Sequence, residues 1–254
     1  MNRYFIRLSY DGTNYHGWQM QQNAHSIQAE LNEKLSTLLG EEVNVVGCGR
    51  TDTGVHAREF YAHFEVSQLH FKEKDLVYKL NRFLPEDIAI NKIFAVDNEM
   101  HARFSAVSRT YKYYISRKKS PFNSRFNYFF DGPLDVEAMQ ASSTTLFKHE
   151  DFTSFSKLHT QTATNNCKIT TAHWELVNNE LVFTITADRF LRNMVRAIVG
   201  TLLEIGKGKL KPEEMQQIIE AKDRSRAGFS VPAKALFLDR IMYPDGFESA
   251  NLPG

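Results

Sequence analysis

Residues 47–57 read Gly-Cys-Gly-Arg-Thr-Asp-Thr-Gly-Val-His-Ala and place one acid, Asp52, among small residues, with Arg50 two positions before it. Gly47, Gly49 and Gly54 can take backbone angles that other residues reach only with strain. A loop of this kind can lay its backbone against a ligand and aim one carboxylate at it. An ionised carboxylate can act as a nucleophile or remove a proton, and a nearby arginine favours the ionised form. Most lone aspartates between glycines simply turn the chain, but the crowding of Arg50, Val55 and His56 into the same stretch exceeds what a turn requires. His56 invites acid–base or metal chemistry. However, His63 and His70 stand too far along the chain to complete a ligand set, so a packing role, or one supporting the reacting groups from behind, is expected of it. No second carboxylate lies close to Asp52 in the sequence, which counts against a glycosidase or a nuclease.

A second constellation lies further on. Residues 100–130 carry seven basic side chains, from Arg103 to Arg125, and no acid, with nine aromatics interleaved from Phe104 to Phe130. Tyr111 stands in the middle of this run. Another basic series comprises Arg189, Arg192, Arg196, Lys207, Lys209 and Lys211, interrupted by Glu204. Basic charge attracts phosphates, and aromatic faces stack on bases. The same pattern also suits a strand with an aromatic core and a solvated charged face, and the run alone does not separate the two.

The chain has 254 residues and a formal charge of +1, so charge in total does not announce a nucleic-acid binder. Its distribution is uneven: residues 1–100 hold 10 Lys/Arg against 14 Asp/Glu, and the remainder 21 against 16. Hydrophobic content of 42% and charged content of 24% are those of a globular protein with one large or two medium domains. No stretch approaches the roughly 18 apolar residues of a membrane span, and the first residues form a strand-like pattern rather than a signal-peptide core. The two cysteines, Cys48 and Cys167, form no ligand cluster. A reducing, cytoplasmic setting without structural zinc is expected.

These side chains must be held by elements that periodicity reveals. Residues 3–9 alternate like a strand. Ser26 caps a helix carrying Ile27, Leu31 and Leu35, and Gly40 stops it. Val43 and Val45 begin a second strand, and residues 60–66 alternate as a third. Leu76, Leu80 and Leu84 mark a helix stopped by Pro85, and Ile88 and Ile90 begin a fourth strand. The first half is therefore βαββαβ, the split-βαβ or ferredoxin-like order. The second half repeats it, with strands over 103–117, 166–177, 181–187 and 235–243. Its helices are a short one at Val136, a long apolar one from Leu191 to Leu202, and one opened by Pro212. The fold class is α+β: two tandem ferredoxin-like domains, 1–102 and 103–254, with adjoining antiparallel sheets and a central cleft.

At the level of motifs the chain resembles the tRNA pseudouridine synthase A family. The resemblance is carried nearly end to end by Tyr10-Asp11-Gly12 with Gly17-Trp18-Gln19, Ser26-Ile27-Gln28, Gly49 to Ala57, Leu84-Pro85 with Asp87-Ile88, and Phe104-Ser105-Ala106. It continues in Arg109-Thr110-Tyr111-Lys112-Tyr113, Asp151-Phe152, Met194-Val195-Arg196, and Ala227-Gly228 with Pro232-Ala233. Several separate blocks in order are far more specific than one Gly-Arg-Thr-Asp string.

The resemblance implies conversion of uridine to pseudouridine at tRNA positions 38, 39 and 40 in the anticodon stem-loop, by a homodimer without metal or cofactor. It implies that Asp52 is the catalytic aspartate, that Tyr111 stacks on the target base, that Arg196 pairs with the aspartate, and that Arg50 helps hold the flipped-out nucleotide and the RNA backbone. From the residues alone, either Arg192 or Arg196, one helical turn apart, could meet Asp52. Thr53, Cys48, Lys148, Cys167-Lys168, Ser230 and Ala235 depart from the family pattern. These departures touch the RNA-facing loops of the second half more than the Asp52 loop. The rival reading is a non-catalytic RNA-binding protein or RNA chaperone on the same tandem fold, which would keep the basic aromatic strand without needing Asp52.

Overall fold

A computed structural model describes residues 1–157 and 164–247, and among them lie nine strands and five α-helices. The chain groups into two compact units, one formed by Met1–Val107 with Leu238–Gly254, the other by Ser108–Phe237. The C-terminal segment from Leu238 thus belongs with the first unit, whereas the sequence assigned 103–254 to one domain. The reason is visible in hydrogen bonds: the N–H of Val107 donates to the Met242 carbonyl at 2.7 Å, the N–H of Ile241 to Glu59 Oε1 at 3.0 Å, and the Tyr243 hydroxyl to the Ala102 carbonyl at 2.6 Å. No helix among the described residues is long and apolar enough to cross a membrane.

The first unit runs β1 (Asn2–Tyr10), α1 (Ile27–Leu39), β2 (Val46–Gly47), β3 (His56–Val66), α2 (Glu73–Phe83) and β4 (Ile88–Val96). Its sheet has the order β4-β1-β3 with β2 on the far side of β3, the arrangement that the βαββαβ pattern calls for. Central β1 is antiparallel to both neighbours: Ile6 stands opposite Ala62 on one side and Ile93 on the other. Phe5, Ile6, Phe60 and Phe64 are fully buried with Ile27, Leu31 and Leu35 of α1 and Leu76 and Leu80 of α2. α1 begins where Ser26 Oγ accepts the Ala29 N–H at 3.3 Å, and ends at Gly40 in the left-handed region. α2 ends at Leu84, which is extended before Pro85, as a residue preceding proline prefers.

Val43 and Val45 are buried as expected, but the paired strand is only Val46–Gly47. The side chains of α1 have taken the place of a neighbouring strand. Ser36 Oγ accepts the Val43 N–H at 2.9 Å, Asn32 Oδ1 accepts the Val45 N–H at 2.9 Å, and Gln28 Nε2 donates to the Val45 carbonyl at 2.7 Å.

The second unit contains β5 (Ser108–Ser116), β6 (Tyr128–Phe129), α3 (Val136–Thr145), β7 (Ile169–Val177), β8 (Glu180–Ala187), α4 (Met194–Gly206) and α5 (Glu214–Ala221). A last strand, β9 (Leu236–Met242), spans the division between the units. The order β5-β8-β7 is antiparallel throughout, with the short β6 parallel to the end of β5. The β7–β8 hairpin turns at Asn178 and Asn179, with φ of 49° and 66°, the two successive left-handed residues of a tight hairpin. Three elements start later than periodicity suggests. β5 begins at Ser108 because residues 101–105 close a turn of their own, the Ser105 N–H donating to the His101 carbonyl at 2.9 Å. β7 begins at Ile169. α4 begins at Met194, after Asn193 turns the chain at φ 68°.

Candidate active site

The Asp52 loop joins β2 to β3 and is tied down on several sides. Cys48 N–H donates to the Tyr61 carbonyl at 2.8 Å, Trp18 N–H to the Thr51 carbonyl at 3.3 Å, and Val55 N–H to the Asp52 carbonyl at 3.1 Å. The stretch from Tyr10 to Trp18 backs the loop at backbone contact. A Cβ on Gly12 would stand 2.1 Å from the Val55 carbonyl oxygen, and one on Gly17 2.3 Å from that of Thr51. The three glycines of the loop serve different ends. Only Gly54 takes a left-handed angle, φ 75°. Gly47 makes room for the Trp18 indole, whose ring atoms would lie 2.5 Å from a Cβ there. A Cβ on Gly49 would meet nothing within 4 Å. Conformational freedom therefore explains one of the three glycines and close packing another.

Side chains complete the support. Tyr10 Oη and Thr51 Oγ1 share a buried hydrogen bond of 2.8 Å, immediately before Asp52. Trp18 stacks on Phe60 with ring centroids 4.1 Å apart. His56 is buried, and its Nδ1 lies 3.0 Å from both the Gly12 amide and Asp11 Oδ1. Nδ1 can accept from the amide or donate to the carboxylate but not both at once, and Asp11 Oδ1 also accepts from the Thr13 N–H and hydroxyl. Asp87 anchors the same stretch, accepting from the Tyr15 hydroxyl through its side chain and from Asp11 N–H through its carbonyl. On this support Asp52 is half-buried and Arg50 is exposed, both on one loop.

Tyr111 and Arg196 belong to the second unit. Tyr111 lies on β5 opposite Ile185 of β8, half-buried, with its ring edge-on to Phe190 at 5.2 Å. It shares its face of the strand with Tyr113, which is fully buried and donates from its hydroxyl to the Pro232 carbonyl at 3.1 Å. Burial pushes the Tyr113 hydroxyl far above its ordinary value, the Tyr128 charge adds to this, and Arg196 acts in the opposite sense. Arg196, in the first turn of α4, donates from Nε to the Val231 carbonyl at 2.7 Å. One register step from Tyr111, then, Tyr113 reaches the 231–232 segment that Arg196 holds. Arg192 is exposed, and Arg196 is half-buried.

The segment 227–231 lies against α4 backbone to backbone. A Cβ on Gly200 would stand 1.7 Å from the Phe229 carbonyl oxygen, and Gly228 N–H donates to Thr201 Oγ1 at 2.8 Å. Arg224 clamps this segment, donating to the carbonyls of Ala227 and Gly228 and to Ser230 Oγ. Burial pulls the Arg224 pKa down, although a guanidinium stays charged. Neither Arg224 nor the Tyr10–Thr51 pair was singled out from the sequence. Their partners lie 3 to 41 residues away, and the type of a tyrosine or arginine does not reveal such a partner. Among the described residues no group of three His, Cys, Asp or Glu side chains could hold a metal ion.

The first unit thus carries Asp52 and Arg50 on one braced loop, and the second carries Tyr111 on β5 and Arg196 in the first turn of α4. A family model described as tRNA pseudouridine synthase matches residues 7–105 and 148–244, and the chain belongs to this family of isomerases. The matched spans hold Arg50, Asp52 and Arg196, and Tyr111 lies in the interval between them. The chain is 54% identical over 245 residues to tRNA pseudouridine synthase A of Parabacteroides distasonis, covering 96% of this chain and 97% of that one. It is 52% identical over 248 residues to the Bacteroides thetaiotaomicron protein of the same name, covering 96% and 92%. It is 39% identical over 245 residues to that of Caldicellulosiruptor bescii, covering 96% and 100%.

Proposed function

We propose that the chain isomerises uridine to pseudouridine at tRNA positions 38, 39 and 40 in the anticodon stem-loop, as a cytoplasmic homodimer. The reaction breaks the N1–C1′ glycosidic bond, turns the detached uracil and joins C5 to C1′. No atom is lost and nothing is oxidised, so the chemistry calls for no redox cofactor. Attack on C1′, attack on the uracil ring and removal of the 2′ proton all begin from an ionised carboxylate, and Asp52 is that group. Arg196 pairs with it and favours its charged form. The target base leaves its stack at a cost of a few kcal/mol. Stacking on Tyr111 and backbone contacts from Arg50 offset this cost.

The observation that carries this reading is the Asp52 loop. Thr51 and Val55 on either side are buried and bonded, while the aspartate between them remains half-exposed. The test incubates unmodified tRNA transcript with wild-type protein and with Asp52→Asn, with chelator and without cofactor, and maps pseudouridine by carbodiimide labelling and primer extension. Wild type alone is expected to place pseudouridine in the anticodon arm, with Asp52→Asn binding tRNA within a few fold of wild type. Equal loss of binding and activity in the variant would remove Asp52 from catalysis.

A further inference from the structure

Phe104 is an aromatic side chain that the fold displays rather than buries: 75% of it is exposed. The backbone beneath it is nonetheless fixed. His101 Nδ1 accepts the N–H groups of Arg103 and Phe104 at 3.0 and 3.3 Å, and the turn is closed by His101 N–H donating to Ser105 Oγ at 2.9 Å. The ring is supported from below in two steps. The His101 ring lies 4.4 Å from that of Phe104 between centroids, and buried His63 lies 4.7 Å from His101. The Arg103 guanidinium sits 5.5 Å from the Phe104 centroid. Burial, then the charges of Arg3 (itself paired with Glu65) and Arg103, lower the His101 pKa, and no acid occurs from residue 100 to 130.

A lone exposed phenylalanine is commonplace, but one set against the His101 ring beside an arginine, on a hydrogen-bonded turn, is not explained by core packing. Stacking needs a flat face whose orientation costs little entropy to fix, and an adjacent cation suits a ligand that carries phosphate. An apolar protein partner would gain from a contiguous greasy patch. Along the chain the ring stands between exposed Arg103 and half-buried Ser105, with exposed Val107 three residues on.

We propose that Phe104 is a stacking platform for an unpaired base of the RNA substrate, a second aromatic contact in addition to Tyr111. The proposal rests on the reading of tRNA as substrate. Phe104 contributes to binding and positioning, and Asp52 performs the reaction.

The test uses the full chain with Phe104→Ala, Phe104→Leu and Phe104→Tyr. Filter binding to unmodified tRNA transcript gives affinity, pseudouridine formation gives KM and kcat separately, and thermal melting and light scattering report fold and assembly. Alanine and leucine are expected to raise Kd and KM by about 10-fold and to lower kcat far less, while tyrosine restores affinity to within about twofold and all three keep the wild-type melting profile and mass. A leucine variant that binds like wild type would overturn the proposal, because apolar bulk rather than a ring face would then suffice. An alanine variant of changed mass would also overturn it, because Phe104 would then be a subunit contact. Wild-type protein that binds tRNA without forming pseudouridine would refute the catalytic reading, and the binding comparison would still decide the role of Phe104.

Discussion

The buried hydrogen bond between Tyr10 and Thr51 braces the residue immediately before the proposed reacting carboxylate. Removing one hydroxyl leaves Thr51 Oγ1 buried without that partner, which costs on the order of 1 kcal/mol. Tyr10→Phe is therefore expected to lower kcat roughly 10-fold through misplacement of Asp52, with KM for tRNA little changed. Single-turnover and steady-state rates on one transcript check this, and a loss confined to KM would contradict it. His63 has a different consequence. Burial, followed by the charges of His101 and Arg3, lowers its pKa to about 4 against only partial opposition from Glu65. A histidine with a depressed folded pKa is protonated first in the unfolded chain, so stability falls as pH drops from about 6.5 toward 4. The loss at the lower end is on the order of 3 kcal/mol. Urea unfolding at pH 7 and pH 4.5 is expected to show a smaller pH loss for His63→Gln than for wild type, because glutamine can still accept the Ala102 N–H that His63 Nδ1 accepts at 3.1 Å.

Two glycines separate strain from collision at the scale of elements. Gly40 ends α1 at φ 72° with nothing within 4 Å of a would-be Cβ. Gly40→Ala should cost only the left-handed backbone penalty, about 1 kcal/mol, read as a modest shift in the urea midpoint. Gly200 sits within α4, where a Cβ would collide with the Phe229 backbone, and a helical alanine would otherwise be favourable. Gly200→Ala is therefore expected to destabilise by several kcal/mol, or to force segment 227–231 off the helix and with it the Val231 carbonyl that Arg196 holds. A Gly200→Ala protein as stable and active as wild type would show that this segment gives way easily.

For the whole molecule, a net charge of +1 conceals a basic run that begins at Arg103. Lys118 and Lys119 are exposed, and replacing both with glutamate is expected to weaken tRNA binding severalfold while changing kcat at saturating tRNA little. If both touch phosphate, the slope of log affinity against log salt should fall by roughly two. Filter binding across a salt series reads both quantities, and an unchanged slope would place these lysines away from the RNA.

Much of this molecule was written in neighbouring residues. Ser26 and Gly40 bound α1, the apolar spacing of Ile27, Leu31 and Leu35 faced it inward, and alternation along residues 3–9 and 60–66 marked β1 and β3. The Asp52 loop stood out because glycines and one acid are crowded together. These features depend on contacts within a turn or two of chain, and residue type carries them directly. The remainder depended on partners brought from far along the chain. Packing against Trp18 requires Gly47, α1 side chains bond residues 43–45 in place of a strand, and Tyr10 supports Thr51 from 41 residues away. Arg192 and Arg196 are alike in sequence, and only the path of segment 227–231 over α4 gives Arg196 its carbonyl partner. Local propensity depends on a residue and its near neighbours, whereas a buried hydrogen bond or a Cβ-sized gap depends on which surfaces meet, and that is settled only when the chain packs.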